Sequence, residues 1–257
     1  MNEVITKEFI NYDTTVFFIL DRLKFADRLK DKNRIIIKPN LLQDTPPPCT
    51  TDADCVKAIA RFIRQHKAGI EIIILEGSGG CCTKKAFKVL GYEKIKKDYD
   101  VKLLDVDDAE TVLLKNPDAL VYKEIHLPKI ALENFIISVP VLKDHLMTGV
   151  TLSLKNLIGF LPEKYYGKYW SYKRSDVHRV GVNNAIVDLN SYINIDLSII
   201  DVRIGQQGSH LAGGRRFNPF KSVIIGGYNP LEVDKEGAGV LGHYWKDIQH
   251  LAMIAKR

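Results

Sequence analysis

At 257 residues, with 46% hydrophobic and 26% charged side chains, the chain can bury a large core, which excludes disordered and fibrous classes. A formal charge of +6 gives a mild preference for anionic partners but falls well short of a polybasic surface, so nucleic acid is not the expected partner. No stretch approaches the roughly 18–20 uninterrupted apolar residues that span a bilayer. The opening MNEVITKEFINYD also lacks a basic stretch followed by an apolar one, and the expectation is a cytoplasmic protein with no membrane partner.

In chain order, residues 34–38 (RIIIK) form a short β-branched run that ends at Pro39. A Pro-rich loop (Pro46, Pro47, Pro48) leads to residues 51–67, where Val56, Ile59, Ala60 and Ile63 recur at helical spacing. Thr51 is the expected N-cap, Asp52 and Asp54 suit the positive end of the helix dipole, and Gly69 closes the segment. Residues 71–75 (EIIIL) are apolar on both faces, as in a central strand, and run into Glu76-Gly77-Ser78-Gly79-Gly80. A helix over 84–90, a strand over 101–106 and a buried strand over 136–141 (IISVPV) continue the alternation. The pattern predicts an α/β fold: a doubly wound, mostly parallel sheet with helices on both faces.

Beyond Lys143 the pattern changes. Residues 148–160 read as helical, while 161–180 are rich in Lys, Arg, Tyr and Trp without a clear period, as expected of a basic aromatic insertion or lid on a single α/β domain spanning 1–257. Helical spacing returns over 183–192, followed by a strand over 195–202, a glycine-punctuated loop over 205–214, a strand over 222–225 and two short helices, with Asp234 at the start of the first.

In open parallel sheets ligands gather at the carboxyl ends of the strands, so the polar residues just after each apolar run are the candidates. They are Lys38 and Asn40, then Glu76 with Gly77, Ser78 and Gly79, then Lys143, Asp144 and His145, then Asp201 and Arg203. EGSGG offers flexible amides and a hydroxyl before a helix, the chemistry of an anion cradle, although a tight strand-to-helix turn would need the same glycines. Within VLKDHLMTGVTLSLKNLIG, Lys155 and Asn156 interrupt an otherwise apolar run and His145 adds a titratable ring. In KYYGKYWSYKRSDVHR basic residues alternate with Tyr165, Tyr166, Tyr169, Trp170 and Tyr172, and His178 and Arg179 stand at its end. Four cysteines (Cys49, Cys55, Cys81, Cys82) match no paired CxxC spacing, so free thiols and no metal centre are expected.

KPNL (residues 38–41), the EGSGG turn, VPVLKDH followed by TGVTLSLKNLIG, IIDVRIGQQG and NPLEVD together resemble the proteins grouped as domain of unknown function 362. Members of that family are largely uncharacterised, and some carry ferredoxin-type iron–sulfur modules; this chain has no CxxCxxC run. The resemblance marks Lys38, Asn40, Lys143, His145, Lys155, Asn156, Asp201 and Asp234 as motif positions without assigning them roles.

Side-chain chemistry gives the expectation. A small anionic metabolite is held at the carboxyl edge by Lys38, Asn40, Gly77, Ser78, Gly79, Lys155 and Asn156. Lys143, His145, Glu76 and Asp201 are the candidate catalytic groups, able to move protons if burial shifts them. No reaction class or cofactor is assigned. A rival expectation is an accessory or electron-transfer protein docking an iron–sulfur protein or nucleic acid through its basic aromatic segment. A third, metal catalysis through His145, His178 and Asp144, Asp201 or Asp234, has no HxxxH or HxH spacing behind it.

Overall fold

The computed structural model describes residues 3–171 and 173–257; Tyr172 of the basic aromatic segment lies outside the described residues. The chain begins with strand β1 (Val4–Glu8), helices α1 (Tyr12–Arg22) and α2 (Phe25–Leu29), strand β2 (Arg34–Pro39), helix α3 (Ala53–His66) and strand β3 (Glu71–Glu76). Helices α4 (Thr83–Val89) and α5 (Tyr92–Tyr99) lead to β4 (Val101–Asp105) and a hairpin of β5 (Thr111–Lys115) with β6 (Glu124–Pro128). After α6 (Lys129–Leu132) come β7 (Phe135–Val139), β8 (Val141–His145), β9 (Gly149–Thr151), α7 (Ser153–Asn156), α8 (Glu163–Tyr166), α9 (Asp176–Val180) and α10 (Val182–Tyr192). The last elements are β10 (Leu197–Gln207), β11 (Arg215–Phe217), β12 (Val223–Gly227), α11 (Pro230–Val240) and α12 (Gln249–Ile254).

Isoleucine-rich runs build the sheet because β-branched side chains fit a pleated surface covered on both faces. Its order is β4-β3-β2-β7-β10-β12-β1, with the pairs from β4 through β10 parallel and those of β12 with β10 and β1 antiparallel. Alternate residues enter different cores. Ile36, Ile73, Ile136 and Ile200 pack on one face with the β5–β6 hairpin, α10, α11 and α12. Ile35, Ile37, Ile72, Ile74, Ile137 and Ile199 pack on the other with α1, α3 and α5. The chain leaves β2 toward β3 and β4 on one side, yet β7 lies on its other side. Connections therefore diverge between β2 and β7, leaving the crevice that open α/β sheets use for ligands.

Thr51 ties this switch point together. It is not the cap of α3; Asp52 is, accepting from the Asp54 amide at 3.0 Å. The Thr51 hydroxyl instead accepts from the Asn40 amide at 2.9 Å and donates to the Val139 carbonyl at 2.6 Å, joining the segments that leave β2 and β7. Lys67, not Gly69, follows the last turn of α3.

Three more expectations are corrected. IISVPV is two strands, because Pro140 has no amide hydrogen for the ladder; β7 pairs with β2 and β10, and β8 resumes beside β10 with a shifted register. Residues 148–160 are not one helix: β8 and β9 form a hairpin with Lys143 opposite Thr151 and His145 opposite Gly149, and only the four-residue α7 and a 3-10 turn follow. Left-handed backbone at Gly149 (φ 75°) and β-branched Val150 and Thr151 favour the hairpin, while Leu152, Leu154 and Leu157 suit either period. Asp234 lies in the second turn of α11, which begins at Pro230 under an Asn229 cap.

Candidate functional site

Behind the switch point lies a buried ion pair. Lys38, at the end of β2, has no solvent exposure and donates to Glu76 Oε2 at 2.6 Å; Glu76, at the end of β3, is 3% exposed. Burial pushes Lys38 down and Glu76 up, and their contact opposes both shifts. Phe160 lies across the ammonium at 5.1 Å, and Gly159 is required there, since a Cβ would come within 2.5 Å of both Lys38 Nζ and Glu76 Oε1. Lys143 is equally enclosed: it donates to Asn40 Oδ1 at 2.7 Å and to the Cys49 carbonyl at 2.8 Å, and burial pushes it down to about 8. Asn156 then donates to the Lys38 carbonyl at 3.0 Å and to Ser138 Oγ at 3.1 Å.

In front of this layer is a cavity of about 230 Å³, whose walls include Asn40, Glu76, His145, Thr151, Lys155, Asn156, Arg174, His178 and His210. Among the candidate residues, Glu76 and Lys155 line the cavity, while Lys38 and Lys143 form the layer behind it. Lys155 stands on α7, whose position is set from another helix: Asp234 of α11 accepts from the Ser153 and Leu154 amides at 2.8 and 2.9 Å. Asp234 is thus the N-terminal anchor of α7, and burial pushes its carboxyl up to about 7. Lys155 makes no hydrogen bond or ion pair among the described residues, and burial, reinforced by Lys143, pushes it down to about 7.

Three histidines surround this lysine. His145 accepts from the Met147 amide through Nδ1 at 3.2 Å, which leaves its proton on Nε2, and stacks on His210 with ring centroids 4.0 Å apart. Burial and the Lys155 charge hold His145 and His178 below the usual histidine range and bring His210 down to about 4, so all three are neutral at pH 7. Among the described residues, no three His, Cys, Asp or Glu side chains are grouped to share a metal ion.

The EGSGG turn differs from an open anion cradle. Gly77, Gly79 and Gly80 line the cavity, but three of the turn's amides and the next one are taken locally: Gly77 donates to Glu76 Oε1 at 3.0 Å, Ser78 to Thr83 Oγ1 at 3.1 Å, and Gly80 and Cys81 to Ser78 Oγ at 3.4 and 3.2 Å. Gly77 is needed for a close approach, because a Cβ there would lie 2.0 Å from an Arg174 nitrogen. Arg174 donates to the Ser78 carbonyl at 2.6 Å, to Glu163 at 3.1 Å and to Asp107 at 2.9 Å, and Lys173 joins Glu163 at 2.6 Å. Segment 161–180 thereby supplies Trp170, Lys173, Arg174, Ser175, Val177 and His178 to the cavity wall. All four cysteines are free, and burial pushes the Cys81 thiol up.

Asp201 is not among the cavity residues. Its carboxylate accepts from Tyr12 Oη at 2.7 Å and the Arg203 amide at 3.0 Å, on the sheet face that packs against α1 and α3. Thr151 and His210 are cavity residues that sequence reasoning missed. Thr151 was read as part of a helix, and His210 follows β10, where the rule of inspecting polar residues after strands would have found it.

Fold and site define an α/β protein with a cavity at the carboxyl edge of a mostly parallel sheet, its wall carrying Lys155, Glu76, Arg174 and three histidines. The sequence pattern of the family described as Domain of unknown function (DUF362) matches residues 35–239, and the chain belongs to that family. It is also similar to a thylakoid-associated protein of Synechocystis sp., at 24% identity over 184 residues, which are 70% of this chain and 55% of that protein. The chain thus spans about half the length of that relative. Among the described residues no helix is long and apolar enough to cross a membrane.

Proposed function

We propose that the cavity binds a small anionic metabolite through Lys155. The observation that carries this reading is a mismatch in the cavity wall: Lys155 is a cation without a partner among the described residues, and the buried atoms Thr151 Oγ1, Arg174 Nε and His210 Nδ1 also lack hydrogen bonds. Buried polar groups are nearly always satisfied, so three buried atoms without partners beside an unpaired cation in one cavity wall favour a polar ligand that carries negative charge. Glu163 and Asp107 already neutralise Lys173 and Arg174, which leaves the ligand's charge to Lys155.

The rival reading, docking of an iron–sulfur protein or nucleic acid, draws on exposed Tyr165, Tyr169 and Trp170. It is weakened because Lys173 and Arg174, two cations of that segment, turn inward. A thermal-shift panel of inorganic phosphate, sulfate, small carboxylates and sugar phosphates tests the proposal on wild type and Lys155→Met. At least one anion should stabilise the wild type and leave the variant unmoved; equal stabilisation of both, or none by any anion, overturns it.

A further inference from the structure

Resting on that reading, we infer that Lys155 is an imine-forming lysine and that the anion is a compact α-oxo acid, whose carbonyl carbon adjoins its carboxylate. The first support is the fate of the neighbouring lysines. Lys38 is paired with Glu76, Lys143 is held by Asn40 and the Cys49 carbonyl, and Lys173 is paired with Glu163; Lys155 alone faces the cavity without a partner among the described residues. Because one group supplies both the attracting charge and the attacking nitrogen, charge and electrophile in the ligand must be neighbours.

The second support is the surroundings. An amine flanked by Lys143 and neutral histidines, with no carboxylate contact, loses its proton easily; burial brings it to about 7, so a large share is nucleophilic at neutral pH. The third is a route for protons. The unpartnered Thr151 hydroxyl both donates and accepts, and His145 presents an Nε2–H that polarises a carbonyl.

The step balances without an oxidant or reductant. The Lys155 nitrogen lone pair forms a bond to the carbonyl carbon, and the C=O π pair moves to oxygen, which takes up the proton released by nitrogen. The carbinolamine hydroxyl then takes up the proton that the Lys155 ammonium gave to solvent on becoming a nucleophile, and leaves as water while nitrogen forms the second bond to carbon. A protonated amine and a ketone thus give a protonated imine and one water, and the positive charge stays beside the carboxylate.

The full chain is incubated with pyruvate or α-oxoglutarate, with lactate as the control without a carbonyl, then treated with borohydride and measured by intact and peptide mass. The wild type should gain the mass of the oxo acid less one oxygen, mapped to Lys155, and nothing with lactate. Lys155→Arg, which keeps a cation but forms no imine, should lose that adduct. Shifts by oxo and hydroxy acids alike with no adduct at Lys155 overturn the imine and leave the anion site standing. No shift and no adduct with any acid overturns both, and adducts only on surface lysines overturn the imine.

Discussion

Two buried polar clusters occupy opposite faces of the same sheet, and they differ in completeness. Around Asp201 every side chain has a partner: Tyr12 donates to it, Arg203 Nε donates to Tyr12 at 2.9 Å, and Arg203 also reaches Asp52 at 2.8 Å. Around Lys155 the wall contains an unpaired cation and three buried atoms without hydrogen bonds. The first arrangement is what a fold needs from charges it has enclosed. The second leaves desolvation uncompensated inside the chain, which is the deficit that the proposed anion would offset. Charge in the interior is therefore a weak guide to function; incomplete hydrogen bonding around it is a better one.

The comparison can be broken by mutation. The largest effect is expected at the pair behind the cavity, where Glu76→Ala strands the buried Lys38 ammonium and should cost about 3–5 kcal/mol in urea denaturation. Asp234→Ala leaves the Ser153 and Leu154 amides unmet and should cost about 2–4 kcal/mol, with hydrogen exchange rising across α7. Asp201→Ala should cost about 1.5–3 kcal/mol through the lost Tyr12 and Arg203 contacts. The smallest effect belongs to Lys155→Met, which removes a half-buried cation without a partner among the described residues and should change stability by less than about 1 kcal/mol, or raise it. A loss at Lys155 as large as that at Asp201 would mean that the two regions do not differ.

The clusters also differ in their response to pH. Burial raises the Asp201 carboxyl to about 6, so the folded state binds its proton more tightly than the unfolded state; this contribution falls as pH rises through about 4 to 6 and is flat above. Lys155 is lowered to about 7, so between about pH 7 and 10.5 the unfolded chain holds the proton that the folded chain has released, and stability rises across that window. Stability curves of wild type and Lys155→Met should diverge only in the second window, and those of Asp201→Asn only in the first.

Much of this was legible in the sequence. RIIIK, EIIIL and IISVPV are β-branched runs, and they contain most of the neighbouring parallel strands β2, β3 and β7, the last cut short by Pro140. Glu76 follows EIIIL, His145 follows the run after Pro140, and Lys155 and Asn156 stand out as polar residues within an apolar run; all four line one cavity. Less legible was anything that depends on contacts far apart in the chain. Alternating and helical periods overlap in GVTLSLKNL, so the β8–β9 hairpin was hidden, and Thr151 with it. Glycines in EGSGG signalled close approach, but not that Arg174, 97 residues beyond Gly77, would be what approaches. Asp201 follows an apolar run as Glu76 does, yet the pleat sends its side chain to the sheet face that packs on α1 and α3.

The central claim is that a small anion is held by Lys155, and the most direct test is isothermal titration at pH 6, 7.5 and 9 with the stabilising carboxylate from the panel, whose own charge is constant over that range. Because the ammonium form of Lys155 attracts the anion, wild-type affinity should fall above pH 7 by a factor approaching about ten per pH unit, and Lys155→Met should bind weakly with no such slope. Wild-type affinity that does not change with pH, or a Lys155→Met variant that binds as tightly as wild type, would contradict it.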